Sequence, residues 1–139
     1  MLGCLIEKQR ATPDHYPLTL NALRLACNQS TARDPVVDYD EATIRAAIGA
    51  LARRRWARNA AGHSSRVAKY RHLLDDELRL ADGEISVLAL LMLRGPQTPG
   101  ELKQRAARLH AFESNAEVHE ALDGLVEREV ARAASAAPA

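Results

Sequence analysis

The chain has 139 residues, and its 19 lysines and arginines against 18 aspartates and glutamates give a net charge of +1 at pH 7. Apolar residues make up 47% of it and aromatic residues only 4%, so the composition favours a mainly helical protein of one or two small domains. The longest apolar run, 85–93, is far shorter than the roughly 20 residues of a membrane span, and no secretory leader is visible. We therefore expect a soluble, cytoplasmic protein without membrane contact.

The first part of the chain predicts short helices separated by breakers. An apolar stripe near the N-terminus predicts a first helix that is clipped or very short. Residues 11–17, with two prolines, end it. A second helix is predicted from about residue 18 to 28, followed by a polar loop at 29–37.

Residues 40–72 carry the clearest local pattern. The apolar residues of 44–51 recur at helical spacing behind Asp40, which predicts a helix with Asp40 as its N-cap. Two short runs, at Trp56 and at 67–70, flank a glycine-containing turn and predict a β-hairpin. A helix followed by a basic hairpin is typical of a winged helix-turn-helix domain.

The second half is predicted to be helical throughout. Residues 73–82 are acidic and predict a linker or capping turn, with Asp82 as the N-cap of the next helix. The strongly apolar stretch 84–94 predicts a buried helix. Further helices are predicted at 101–110 and at about 114–128.

The two halves resemble each other. Residues 43–51 match 117–125 at an offset of 74, and Thr12-Pro13 and Thr98-Pro99 stand 86 residues apart. These matches predict a tandem duplication of one helical unit, with chance similarity of two amphipathic helices as the alternative.

The predicted organisation is a first domain at 1–73, a linker at 74–80 and a second domain at 81–139. Only 11 residues, mostly alanine, follow Arg128. We expect the wing of the second domain to be missing or truncated.

Motifs with a recognisable pattern occur in both halves of the chain. They are 5–9, 12–14, 16–18, 20–23, 26–29, 65–67, 69–72, 93–95, 97–102 and 105–108. In these motifs the chain resembles the bacterial YceH-like family. The resemblance implies a mainly α fold with small β-hairpin wings, a tandem winged helix-turn-helix, and it implies little about function.

Charge is distributed unevenly along the sequence. Between Ala42 and Leu74 there are eight basic residues and no acidic one, while the remainder holds eleven basic and eighteen acidic residues. Such a basic segment predicts contact with nucleic-acid phosphates, most simply those of double-stranded DNA. The candidate nucleic-acid-binding residues are Arg45, Arg53, Arg54, Arg58, Arg66, Lys69 and Arg71. The alternative is a solvated basic hairpin that binds no ligand or neutralises the acidic remainder.

The outward face of the helix before the hairpin favours a second kind of function. It carries mainly small side chains, whereas base reading needs forked donors and acceptors. The candidate protein-interaction residues are Ala42, Ala46, Gly49 and Ala50. They would let a second copy of the chain, in a homodimer, or another protein partner pack closely against this helix.

The equivalent face of the last helix is acidic. Its outward residues are predicted to be Glu113, Glu117, Glu120, Gly124 and Glu127. Because carboxylates repel phosphates, we do not expect that helix to enter DNA.

Catalytic chemistry has the weakest support. Cys4 and Cys27 occupy apolar helix positions and predict buried thiols, with a disulfide or redox pair as the alternative. The five histidines are scattered, and neither a phosphate-binding loop nor a nucleophile motif is present. We expect a non-catalytic binding protein with no metal or cofactor.

Overall fold

In the computed structural model, which describes residues 1–61 and 66–128, the chain is mainly helical with a small antiparallel sheet. The helices are α1 (Leu2–Ala11), α2 (Leu20–Cys27), α3 (Glu41–Arg53), α4 (Leu74–Leu78), α5 (Asp82–Arg94), α6 (Pro99–Arg105) and α7 (Asn115–Glu127). The strands are β1 (Leu18–Thr19), β2 (Ala57–Asn59) and β3 (Lys69–His72), and Pro13–His15 form a 3-10 turn. The mainly helical class predicted from the sequence is confirmed.

Polar side chains fix where several of the helices begin. Each accepts a hydrogen bond from a backbone N–H in the first turn that has no partner within the helix. These caps are Thr19, Asp40, Thr98 and Ser114. The predicted cap Asp40 is confirmed, with its Oδ1 2.8 Å from the Thr43 nitrogen. The prediction for Asp82 was wrong, because it is the first residue of α5 and its carboxylate instead accepts a hydrogen bond from Arg10.

The sheet has the strand order β1-β3-β2, with both pairs antiparallel. The pairing of β2 with β3 agrees with the predicted hairpin, whose turn lies partly outside the described residues. Strand β1 was not predicted, since the second helix was expected to start at residue 18. Thr19 is extended because its side chain caps α2, and this geometry lets Leu18 pair with Tyr70.

Three other elements differ from the sequence prediction. Helix α1 has ten residues and is therefore not very short. The predicted linker contains helix α4, whose Leu74 is buried. Arg79, the residue that follows α4, lies in the left-handed region with φ of 51°. Helix α6 ends at Arg105 rather than 110, because the N–H groups of Leu109 and His110 both donate to the Ala106 oxygen and close a turn. The domain division at 74–80 stays a prediction.

The predicted internal match agrees with the structure for helices α3 and α7 but not for the two Thr-Pro motifs. Helices α3 and α7 each have 13 residues, and their bounds and caps are offset by 74. The Thr-Pro motifs differ in structure, since Thr98 caps α6 directly whereas Pro13 opens the 3-10 turn.

Two hydrophobic clusters form the interior, and α1 contributes to both. Leu5 packs with Leu23, Ile44 and their neighbours in the first cluster. Leu2 and Ile6, on another side of the same helix, belong to the second cluster with the apolar residues of α5, α6 and α7. The two halves of the chain therefore share a wide contact along α1 and α5. Among residues 1–61 and 66–128, no helix has the length and apolar character to span a bilayer.

Candidate nucleic-acid interface

Helix α3 is held by its apolar side and leaves the opposite side open. Ile44 and Ile48 are buried, as helical spacing predicted. Of the candidate protein-interaction residues, Ala42 and Ala46 are exposed, whereas Gly49 and Ala50 are half-buried. The side chain of Arg53 turns back along the helix, so that its Nη1 lies 3.6 Å from where a Cβ on Gly49 would be. Only the first half of the small-residue face is therefore fully open.

A shallow groove of about 520 Å³ lies between the start of α2, helix α3 and the approach to β3. Arg24, Arg45 and Arg66 all line it, together with Glu41. Arg45 Nη2 donates to Glu41 Oε1 at 2.6 Å, which partly neutralises this predicted cation. Arg24 was not predicted, because only its position opposite the apolar face of α2 distinguishes it in the sequence.

The outer face of the sheet brings three of the predicted cations together. Arg58 on β2 stands directly opposite Arg71 on β3. Lys69 is two residues before Arg71 on the same strand and so shares its face. Like charges directly opposite each other in a sheet destabilise it. None of the ion pairs among the described residues includes any of these three side chains.

The remaining predicted cations lie at the end of α3. Arg53 and Arg54 are both exposed. The Arg54 guanidinium lies 5.4 Å from the centroid of the Trp56 ring, a cation–π distance that orients it beside the start of β2. Both side chains are therefore available to a ligand that approaches this end of the helix.

A neutral polar network anchors the inner face of the sheet to α1. The His72 N–H donates to the Tyr16 hydroxyl at 2.8 Å, and His72 Nε2 lies 2.5 Å from Gln9 Oε1. Its Nδ1 accepts the N–H of Leu74 at 3.2 Å. Burial lowers the pKa of His72 to about 4 and raises the pKa of Tyr16 to about 12. The positive charge of the sheet thus comes from its outer face alone.

The corresponding helix of the second half, α7, has the opposite charge. Glu113, Glu120 and Glu127 are exposed as predicted, and Glu117 is half-buried. Gly124 was predicted to face outward, but it packs against the Glu84 carboxylate, which also contacts Arg128. The small size of Gly124 leaves room for this buried carboxylate.

In the part of the chain that the structure describes, no three or more His, Cys, Asp or Glu side chains are placed to hold one ion.

Comparison with known proteins identifies the family. Residues 1–138 match a family described as a protein of unknown function, DUF480. The chain is 48% identical over 133 residues to a UPF0502 protein of Shewanella amazonensis, and the aligned region covers 93% of this chain and 63% of the relative. It is 47% identical over 129 residues to a UPF0502 protein of Opitutus terrae, covering 93% and 56%. A UPF0502 protein of Shewanella sp. strain MR-4 is 47% identical over 133 residues, covering 93% and 60%.

The chain thus spans about three fifths of the length of these relatives. The match agrees with the YceH-like resemblance seen in the motifs, which is thereby confirmed. The chain belongs to the DUF480 family of bacterial proteins.

Proposed function

We propose that the first half of the chain is a winged-helix domain and that the second half repeats its helical part. The order α1, β1, α2, α3, β2, β3, with β3 at the centre of the sheet, supports the first assignment. The matched bounds of α3 and α7 support the second. The expectation that the wing of the second domain is missing or truncated concerns residues 129–139, which lie outside the described residues.

The proposed function is binding of double-stranded DNA through its phosphate backbone. The observation that carries it is the pair of opposed arginines, Arg58 and Arg71, with Lys69 on the same face of the sheet. Holding these like charges together opposes folding of the isolated chain. A phosphate placed between these cations would attract all of them and offset their mutual repulsion. Each phosphate contact would also release condensed counterions from the DNA, which favours binding.

The face of α3 indicates that this binding is independent of sequence. Direct readout in the major groove uses Arg, Asn or Gln side chains aimed at base edges. The exposed start of α3 offers the methyl groups of Ala42 and Ala46, and the cation beside them, Arg45, is already paired with Glu41. Contacts to phosphates position a protein on a duplex without specifying its sequence.

The test is a salt titration in which fluorescence anisotropy measures binding to a duplex of random sequence. Each phosphate contact adds about 0.9 to the slope of log affinity against log salt. Arg58→Gln with Lys69→Gln should therefore lower the slope by about 1.8. The matched control is Lys103→Gln with Arg108→Gln, which removes the same charge from the second half and should leave the slope unchanged.

Two results would contradict this proposal. One is the absence of binding at low salt. The other is an equal loss of slope in the control variant, which would mean that only net charge matters. The stronger change Arg54→Glu with Arg66→Glu should abolish retention on duplex DNA while the circular dichroism spectrum stays unchanged.

A second candidate function is assembly through the open start of α3. A shallow surface depression there is lined by Ala42 and Ala46 together with the Glu41–Arg45 ion pair. These small side chains favour close approach of another helix, of a second copy or of a different protein. Ala46→Arg should then disrupt assembly in analytical ultracentrifugation. Ala116→Arg, at an exposed alanine of α7, is the control and should leave assembly unchanged.

A further inference from the structure

The groove between α2, α3 and the approach to β3 combines an apolar lining with cations. Leu20, Val67 and Tyr70 line it beside the three arginines described above. Its volume is about 520 Å³, and Val67 is 54% exposed, so apolar surface in the groove remains open to solvent. Protein interfaces combine an apolar centre with a polar rim in the same way.

Two of the three arginines of this groove have no charged partner. Arg45 forms an ion pair with Glu41, whereas Arg24 donates to the neutral Asn21 Oδ1 at 3.1 Å. Among the ion pairs of the described residues, none includes Arg24 or Arg66. The groove therefore carries more positive than negative charge, and it fits an anionic partner.

The groove lies on the other side of β3 from the cations that we propose to bind DNA. Successive side chains of a strand point to opposite faces. Tyr70 stands between Lys69 and Arg71 on β3, and it packs against the first hydrophobic cluster. A duplex on the outer face of the sheet would therefore leave the groove to a different partner.

The exposed face of α7 complements this groove. Glu120, Asp123 and Glu127 are all exposed, and their spacing of three and four residues places them on one side of the helix. The ion pairs of the described residues include none of them. Val126, three residues after Asp123, is 66% exposed beside them. This face thus presents carboxylates next to an open apolar side chain.

The charges of the two halves act in the same direction. Residues 1–73 hold twelve basic and six acidic residues, whereas 74–128 hold six basic and eleven acidic residues. The basic half of one copy therefore attracts the acidic half of another copy, and this attraction favours their encounter and orientation.

We propose that the groove is the docking site for helix α7 of a second copy of this chain. Val126 of one copy packs against the apolar lining of the groove, and the neighbouring carboxylates face Arg24 and Arg66 of the other copy. The contact joins two different surfaces, so it is heterologous. It needs no DNA, and it uses a different surface from the small-residue start of α3.

The test is a charge swap followed by sedimentation velocity at low salt. Glu120→Lys with Glu127→Lys makes the α7 face basic, and Arg24→Glu with Arg66→Glu makes the groove acidic. Each variant alone places like charges against each other, so it should associate about a hundredfold more weakly than the unaltered chain. An equimolar mixture of the two variants should associate again, because each supplies the surface that the other lacks.

The matched control is Arg58→Glu with Lys69→Glu, which makes the same charge change on the outer face of the sheet. It should keep self-association and lose binding to the random duplex, so this proposal and the proposed DNA binding can fail separately. Circular dichroism checks the folding of every variant. If the acidic groove variant does not fold, Arg24→Gln with Arg66→Gln replaces it and should also weaken association.

Four results would overturn the proposal. The first is a chain that stays monomeric at every concentration at low salt. The second is a mixture of the two charge-swapped variants that does not associate. The third is an equal loss of association in the control. The fourth is association that Ala46→Arg abolishes and the groove variant retains, which would place the contact at the start of α3.

Discussion

The chain holds two kinds of ion pair that differ in their exposure to water. Arg33 and Glu7 are 4% and 10% exposed in their side chains, whereas Arg45 and Glu41 are 68% and 64% exposed. Glu7→Gln should lower the free energy of unfolding by about 3–5 kcal/mol, because it leaves Arg33 buried without its counter-charge. Glu41→Gln should change it by less than about 1 kcal/mol. Urea unfolding of both variants measures the difference, and equal effects would contradict it.

The buried His72 predicts a pH dependence of stability. Its pKa in the folded protein, about 4, lies below the ordinary value of 6.5, so between these values the unfolded chain binds the proton and the folded chain does not. Stability should therefore be complete above pH 6.5 and fall as the pH is lowered to 4, by about 3 kcal/mol in all.

Urea unfolding between pH 4 and 7 measures this dependence. His72→Asn should flatten the curve in the upper part of the window, where carboxylates contribute least. His15→Asn removes an exposed histidine and should leave the curve as it is. An unchanged curve in His72→Asn would show that other groups cause the loss.

Local patterns predicted individual residues only where the partner is close in sequence. The cap at Asp40 needs a donor three residues away, and the basic character of 45–71 needs no partner at all. The Arg33–Glu7 pair spans 26 residues and the His72–Gln9 contact spans 63. Residues 29–37 were predicted to be an ordinary polar loop, because nothing in its sequence indicates that Arg33 is buried.

At the scale of elements, the long helices followed their apolar periodicity and the short elements did not. Strand β1 has two residues and α4 has five, which is too few for any period to appear. They form through tertiary contacts: Leu18 pairs with Tyr70 in the sheet, and Leu74 packs in the second hydrophobic cluster. The groove at Arg24 depends on β3 folding back beside α2, so the sequence predicted Arg45 and Arg66 by charge but not their shared site.

The close contact of α1 with α5 depends on a glycine. A Cβ on Gly3 would lie 2.9 Å from Leu93 Cγ and 3.1 Å from Met92 Cβ. Gly3→Ala should therefore lower the free energy of unfolding by about 1–3 kcal/mol through overpacking. Gly100→Ala, in helix α6 with no atom within 4 Å of the added methyl, should be neutral or stabilising by up to about 1 kcal/mol. Thermal unfolding compares the two, and a stabilising Gly3→Ala would mean that α1 and α5 can move apart freely.

For the whole molecule, charge and packing divide the chain in different ways. The cations of the outer sheet face belong to the first half and the exposed carboxylates of α7 to the second. The interior is not divided in this manner, because α1 supplies side chains to both clusters and Leu93 of α5 enters the first. A charged ligand would therefore bind to only one half, whereas both halves should unfold together.

We therefore expect the chain to unfold in one cooperative transition. Leu23 and Leu125 are fully buried in the first and second clusters, and truncating either to alanine should cost about 2–5 kcal/mol. If α1 couples the clusters, each variant shifts the whole far-ultraviolet circular dichroism transition in urea, and the fluorescence of the single tryptophan, Trp56, shifts with it.

If the halves instead unfold independently, each variant lowers the urea midpoint of only part of the circular dichroism amplitude and leaves the midpoint of the rest unchanged. Leu25→Ala, on α2 at a side chain that is 56% exposed, is the control for losing a leucine without opening a cavity. It should shift the transition by less than about 1 kcal/mol, since little apolar surface is removed from the interior. A single transition in all three variants would mean that binding at the basic sheet also stabilises the acidic half, because a ligand that binds only the folded chain stabilises every element that unfolds with its site.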